Sequence, residues 1–159
     1  MIIVIEGVDG SGKSTLANAL SKKLGKKVLH TGGQSTTLEE LKGRVKIIEA
    51  NPDCIVDRFP YLSELIYRKP PLLIDQETIL SMWSKFKEDN DVHLIYCRTS
   101  VKAMYENISH KKKAHKPPEF LEEVKRRHPH LVRLYDHMFS EIGYDTTYNW
   151  QEDSLPCVD

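Results

Sequence analysis

Short apolar runs and amphipathic stretches take turns along the chain. The runs MIIVIE (Met1–Glu6), KKVLH (Lys26–His30), DCIVD (Asp53–Asp57), VHLIYCR (Val92–Arg98) and GYDTTY (Gly143–Tyr148) have the length and residue types of strands. The first four carry little alternation, which is the pattern of strands covered on both faces. Between them the apolar period changes to that of a helix. Over Lys13–Leu24, Leu16, Ala17, Leu20 and Leu24 share one face, and Gly25 supplies a stop. Further helices are predicted over Leu38–Ala50, Tyr61–Arg68, Gln76–Glu88, Val101–Ile108 and Glu119–Ile142. In the last, Phe120, Val124, Leu131, Leu134, Tyr135 and Met138 form the inward stripe, and Pro129 predicts a kink or a break near His128. Strands alternating with helices predict an α/β fold of three layers around a five-stranded, mainly parallel sheet.

With 159 residues the chain forms one domain, residues 1–159. Its 23 basic and 23 acidic side chains balance, so no global field selects a nucleic acid polymer or a membrane surface as partner. The apolar runs are too short for a membrane span and no signal peptide opens the chain, from which a soluble, cytoplasmic protein is expected. Cys54, Cys97 and Cys157 lack metal-ligand spacing and read as reduced thiols.

The stretch IEGVDGSGKST (Ile5–Thr15) narrows the chemistry. Gly7, Gly12, Lys13 and Ser14 satisfy G-x-x-x-x-G-K-[ST], with a strand before and a helix after. Such a loop wraps an anion in backbone N–H groups at the positive end of a helix. Asp9, Gly10, Ser11, Gly12, Lys13, Ser14 and Thr15 are the candidate ATP-binding residues. Lys13 would reach the β- and γ-phosphates, and Ser14 would offer a hydroxyl to Mg²⁺.

A phosphate cradle serves switches, motors and kinases alike. No N-K-x-D segment follows a later strand, as a guanine switch requires, and a chain this short leaves little room for a motor's partner domains. A kinase needs a second pocket facing the first. CIVDRFPYLSELIY (Cys54–Tyr67) supplies one, because Asp57 and Arg58 stand at the carboxyl end of a strand, where open parallel sheets bind ligands. The carboxylate can organise Mg²⁺ or accept a proton, and the guanidinium can clamp a phosphate bidentately.

On IEGVDGSGKST, on Asp57-Arg58-Phe59 followed by Ser63, on HLIYCRTS and on LVRLYDHMF, the chain resembles thymidylate kinases and, more broadly, deoxynucleoside monophosphate kinases of the phosphate-loop class. The resemblance implies transfer of the γ-phosphate of ATP to a deoxynucleoside monophosphate, dTMP foremost, with Mg²⁺. Lys13, Asp57 and Arg58 would be catalytic and Ser14 with Asp57 would serve the metal. Asp9, Arg44, Arg58, Phe59, Ser63 and Tyr67 would hold the monophosphate, Phe59 stacking on its base. The segment HTGGQS (His30–Ser35) keeps only two glycines of the family's usual REPGG, and Gln34 to Asp57 is short for the elements that read thymine. The basic segment at 109–118 stands where the family carries a lid; Lys111, Lys112, Lys113 and Lys116 are its candidate cations, Lys113 being set among the catalytic ones. A kinase of another small acceptor such as a deoxynucleoside, or an ATP-binding regulatory module, stays open, and so does a homodimer.

Overall fold

The computed structural model describes residues 1–31, 33–112 and 118–158. Strands β1 (Ile2–Glu6), β2 (Lys27–His30), β3 (Cys54–Asp57), β4 (Val92–Cys97) and β5 (Thr146–Tyr148) form one sheet in the order β2-β3-β1-β4-β5. All four pairings are parallel, so the sheet is wholly rather than mainly parallel. Helices α1 (Lys13–Leu24), α2 (Leu38–Glu49), α3 (Pro60–Tyr67), α4 (Gln76–Asp89), α5 (Val101–Lys112) and α6 (Pro118–Ile142) connect the strands.

Strand β1 lies at the centre and is buried throughout. Its side chains alternate between two cores, as strand geometry requires. Ile3 and Ile5 meet Leu16, Ala17 and Leu20 of α1. Ile2 and Val4 face the larger cluster, to which the other helices contribute Leu41, Leu62, Trp83 and Tyr135. The three layers are therefore unequal, with the second phosphate-site candidate on the thick side.

Local chemistry sets the helix ends. The Thr37 side chain accepts from the Glu40 N–H at 3.1 Å and Asp75 from the Thr78 N–H at 2.9 Å, each satisfying an otherwise orphaned first-turn amide. At α3 the first position is Pro60, whose missing N–H costs nothing there. Two boundaries differ from the sequence pattern. Helix α5 runs past Ile108 to Lys112, because lysine propagates a helix even after the apolar period ends. Helix α6 passes through Pro129 without dividing. An internal proline costs about 3 kcal/mol, and burial of Val132, Tyr135, Met138 and Phe139 along the same helix offsets it. No described helix is long and apolar enough to cross a membrane.

Phe59, expected to stack on a base, lies wholly inside the thick layer. Its ring sits edge-on to Trp83 at 4.9 Å and to Tyr61 at 5.6 Å, and tilted against Phe86 at 4.7 Å. Phe59→Ala is expected to lower unfolding free energy by about 3–5 kcal/mol, read by urea denaturation. A stable variant with a raised Michaelis constant for the acceptor would instead restore the ring to the ligand.

Candidate active site

The carboxyl ends of β1 and β3 are neighbours in the sheet, and both lead straight into candidate site residues. Leaving β1, the chain turns through the phosphate loop and enters α1 at Gly12, whose φ of 88° is left-handed. A side chain there would be strained in backbone and would also press on the side chain of Trp150, 3.0–3.3 Å from an added Cβ. At Gly10, with φ 78°, the added carbon would stand 2.3 Å from the Met104 carbonyl oxygen. The loop is packed against its surroundings on both sides.

Inside it, Lys13 is 6% exposed, and its ammonium donates to the Val8 carbonyl at 3.3 Å. Burial pushes its pKa below the ordinary lysine value, and the Arg58 charge adds to that. A cation held at this electrostatic cost is relieved when an anion enters. The Ser14 hydroxyl donates to Asp57 Oδ2 at 2.9 Å, and His30 Nδ1 lies 3.5 Å from the same oxygen. Hydroxyl and carboxylate, both hard oxygen donors, thus face each other between the start of α1 and the end of β3. Thr15 is exposed on the first turn of α1, and the Ser11 side chain is buried, its hydroxyl without a hydrogen-bond partner among the described residues.

Arg58 is the sole non-glycine with a left-handed backbone among the described residues, at φ 71°. Such a residue costs about 1–2 kcal/mol, so its surroundings must hold it. They do so on three sides. The Arg58 N–H donates to the Ile5 carbonyl at 3.0 Å, and the Arg58 carbonyl accepts from the Thr31 hydroxyl at 2.8 Å. The next amide, Phe59 N–H, donates to Glu6 Oε1 at 2.5 Å. The turn sends Phe59 into the core and the Arg58 side chain to the site. There its guanidinium pairs with Asp9 Oδ1 at 2.6 Å and lies over the Tyr67 ring, 4.7 Å from the centroid.

Glu6 was given no role of its own from the sequence, although it ends the first strand and falls within IEGVDGSGKST. Its carboxylate is fully buried, takes the Phe59 N–H on one oxygen and the Tyr135 hydroxyl at 3.0 Å on the other, and stands beside Arg58 and Lys13. Burial raises its pKa from 4.5 to about 7, with the Phe59 amide, the Arg58 charge, the Tyr135 hydroxyl and Lys13 opposing. Desolvation also pushes Tyr67 up to about 12, and Tyr135 well above its ordinary value.

A cleft of about 230 Å³ opens between this arrangement and α6. Asp9, Arg58 and Tyr67 form one wall, and Glu123, Arg127 and His128 form the other. The structure therefore brings together Asp9, Lys13, Ser14, Asp57, Arg58 and Tyr67 of the expected set. It separates three others. Phe59 is core, and Ser63 is 3% exposed inside α3. Arg44, on α2, donates at 2.8 Å to the Gly33 carbonyl of the loop after β2 and pairs at 2.6 Å with Glu40 of its own helix. The expected lid, 109–118, lies largely outside the described residues: Lys111 and Lys112 are the last residues of α5, their side chains not among those described, and Lys113 and Lys116 lie outside altogether.

Sequence reasoning also missed Trp150, which follows β5 with 40% of its surface exposed beside Gly12. The Thr99 hydroxyl, donating to Gln151 Oε1 at 2.9 Å, ties its turn to the end of β4. A tryptophan outside any apolar period, just past a strand end, was the available signal.

Sheet order, phosphate loop and strand-end Asp57-Arg58 together define a three-layer α/β fold of the phosphate-loop type. No family model matches the chain, and no curated protein sequence matches it significantly. Solved structures do. YorR of Bacillus subtilis, solved with phosphorylated GDP, aligns over 98% of this chain and 89% of its own at 20% identity, TM-score 0.72. A deoxyadenosine kinase from M. mycoides with bound dATP aligns over 96% and 93% at 20% identity, TM-score 0.59. Shikimate kinase from Acinetobacter baumannii with shikimate aligns over 97% and 85% at 14% identity, TM-score 0.62.

The Glu6 pKa has a consequence for stability. Between pH 4.5 and about 7 the folded state holds a proton that the unfolded state has released, so stability falls as pH rises through this window. The shift corresponds to on the order of 3 kcal/mol. Glu6→Gln, which keeps the shape and an acceptor for Phe59 N–H, is expected to flatten that part of the profile. Urea unfolding of both chains at pH 5 and pH 8 checks it.

Proposed function

We propose that the chain is an ATP-dependent kinase that passes the γ-phosphate to the phosphate of a deoxynucleoside monophosphate, dTMP foremost. The observation that carries this reading is the cleft beside the phosphate loop, with the guanidiniums of Arg58 and Arg127 on opposite walls. Two such groups suit a phosphate dianion, which each can grip with paired N–H donors. Arg58 has donors to spare beyond its pair with Asp9, so it can hold the acceptor phosphate while Asp9 keeps it aimed. Asp9 also offers an oxygen to a sugar hydroxyl.

On the donor side, Lys13 and the amides of the loop would take the β- and γ-phosphates. The exposed indole of Trp150 offers the donor's base a stacking face at the loop's outer end. The Ser14 hydroxyl and the Asp57 carboxylate, hard oxygen donors side by side, would hold a divalent cation such as Mg²⁺, which would supply charge neutralisation for the transferred group. With both substrates held this way, little is left for a base to do, and positioning carries the reaction. The M. mycoides enzyme, solved also with dCMP as product and dCDP, has the same fold.

A second reading, a deoxynucleoside kinase, is favoured by the charge balance of the cleft. Asp9 faces Arg58 at 2.6 Å and Glu123 faces Arg127 at 4.0 Å, so a neutral hydroxyl acceptor would meet no uncompensated charge. The readings separate in one assay of Mg-ATP with deoxynucleosides and their monophosphates, products resolved by chromatography. Diphosphate formation is expected, dTMP being the best acceptor. Arg58→Ala should raise the Michaelis constant for the monophosphate at least tenfold, in keeping with loss of a charge-assisted bidentate contact, and leave that for ATP within about threefold. Monophosphate products from nucleosides alone would establish the second reading instead.

A further inference from the structure

Two helices that carry none of the expected donor residues touch the phosphate loop. From α6, His128 Nε2 lies 2.7 Å from the Asp9 carbonyl oxygen. From α5, Asn107 Nδ2 donates to the Gly10 carbonyl at 3.1 Å. His128 is 2% exposed, and its other ring nitrogen has no partner among the described residues. A carbonyl oxygen only accepts, so Nε2 carries the proton, and this buried ring makes its hydrogen bond, among the described residues, to one loop carbonyl.

A trans peptide is planar, with C=O and N–H pointing in opposite directions. Holding the Asp9 carbonyl against α6 therefore turns the Gly10 N–H away from α6, and holding the Gly10 carbonyl against α5 turns the Ser11 N–H likewise. The Ser11 amide shows the result: it donates to the Val8 carbonyl at 3.2 Å, the same oxygen that holds the Lys13 ammonium. Ser11 N–H and Lys13 Nζ already converge on one acceptor inside the loop, and an incoming phosphate oxygen would replace that carbonyl. A glycine at position 10 is otherwise the residue least able to keep a peptide plane in place.

We propose that His128 and Asn107 are positioning residues for the donor nucleotide. From outside the loop they hold two consecutive carbonyls outward and so keep the Gly10 and Ser11 amides aimed at the phosphates. This rests on the reading of the loop as a nucleoside triphosphate site. It adds two residues, from helices far along the chain, that determine how well the loop is preorganised, and it gives His128 a donor-side role although its ring borders the acceptor cleft.

The test is calorimetric titration of the full chain with Mg-ATP without any acceptor, for the parent and for His128→Leu, Asn107→Leu and His128→Gln. Loss of either anchor is expected to weaken ATP binding about tenfold, the scale of one well-aligned hydrogen bond, with the thermal midpoint little changed. His128→Gln, which can again present an N–H, should recover most of the loss. Asn107 is half-buried, so its variant decides the matter should His128→Leu fail to fold. Folded leucine variants that bind Mg-ATP like the parent would overturn the proposal. So would a His128→Leu chain in which the Michaelis constant rises for the acceptor alone. A parent chain that binds no ATP would remove the donor site itself, and this inference with it; a parent that binds ATP but phosphorylates no acceptor would leave the inference standing and remove only the kinase reading.

Discussion

A carboxylate with no exposed surface, Glu6 at the end of the central strand, holds the arrangement together. One oxygen takes the Phe59 amide and the other the Tyr135 hydroxyl, linking the end of β1 to the turn after β3 and to α6. Removing a carboxylate from water is costly unless its lone pairs are satisfied and a cation lies near. Those two donors, with Arg58 and Lys13, offset part of that cost, and burial still outweighs them, so the Glu6 pKa stays raised to about 7. In return Glu6 fixes the peptide after a residue with a left-handed backbone. That single turn decides that Phe59 goes inward and Arg58 faces the phosphate loop.

The rest of the site inherits its geometry from this point. Asp57, one residue before the turn, reaches the Ser14 hydroxyl across the β1–β3 pairing. Arg58, directed outward, finds Asp9 and the Tyr67 ring. The phosphate loop and the cleft beside it share Asp9: its side chain belongs to the cleft wall and its carbonyl to the loop that α6 touches. Kinases need two phosphates brought together with water excluded. A shared residue between two pockets on one sheet edge meets the first half of that need.

Much of the fold was legible because parallel strands buried on both faces and helices with one apolar stripe have distinct periods. The phosphate loop and Asp57-Arg58 were legible because their chemistry is written in consecutive residues. What stayed hidden depends on contacts between distant segments. Phe59 was read as a ligand-facing ring from its place after Arg58, but the sign of φ at Arg58, which sends it inward, is set by Glu6 far up the chain. Ser63 was read as ligand-facing for a different reason: it stands one turn into a helix whose buried face the sequence left ambiguous, and it is buried there. Glu6, Asn107 and His128 matter through distant partners: Phe59 and Tyr135 lie 53 and 129 positions from Glu6, Gly10 lies 97 from Asn107, and Asp9 lies 119 from His128. The continuity of α6 through Pro129 likewise follows from packing that local propensity does not contain.

In the proposed kinase, donor and acceptor pockets face each other across the Asp9–Arg58 pair. A bisubstrate compound, adenosine and deoxythymidine joined through their 5′ positions by a five-phosphate chain, tests it most directly. If the two pockets face each other, the compound binds at least a hundredfold more tightly than ATP, because its second half gains an effective concentration in the millimolar range or above. Lys13→Ala and Arg58→Ala should each remove most of that gain. Binding no tighter than that of ATP, insensitive to Arg58, would contradict the account and leave a nucleotide cradle without a facing acceptor site.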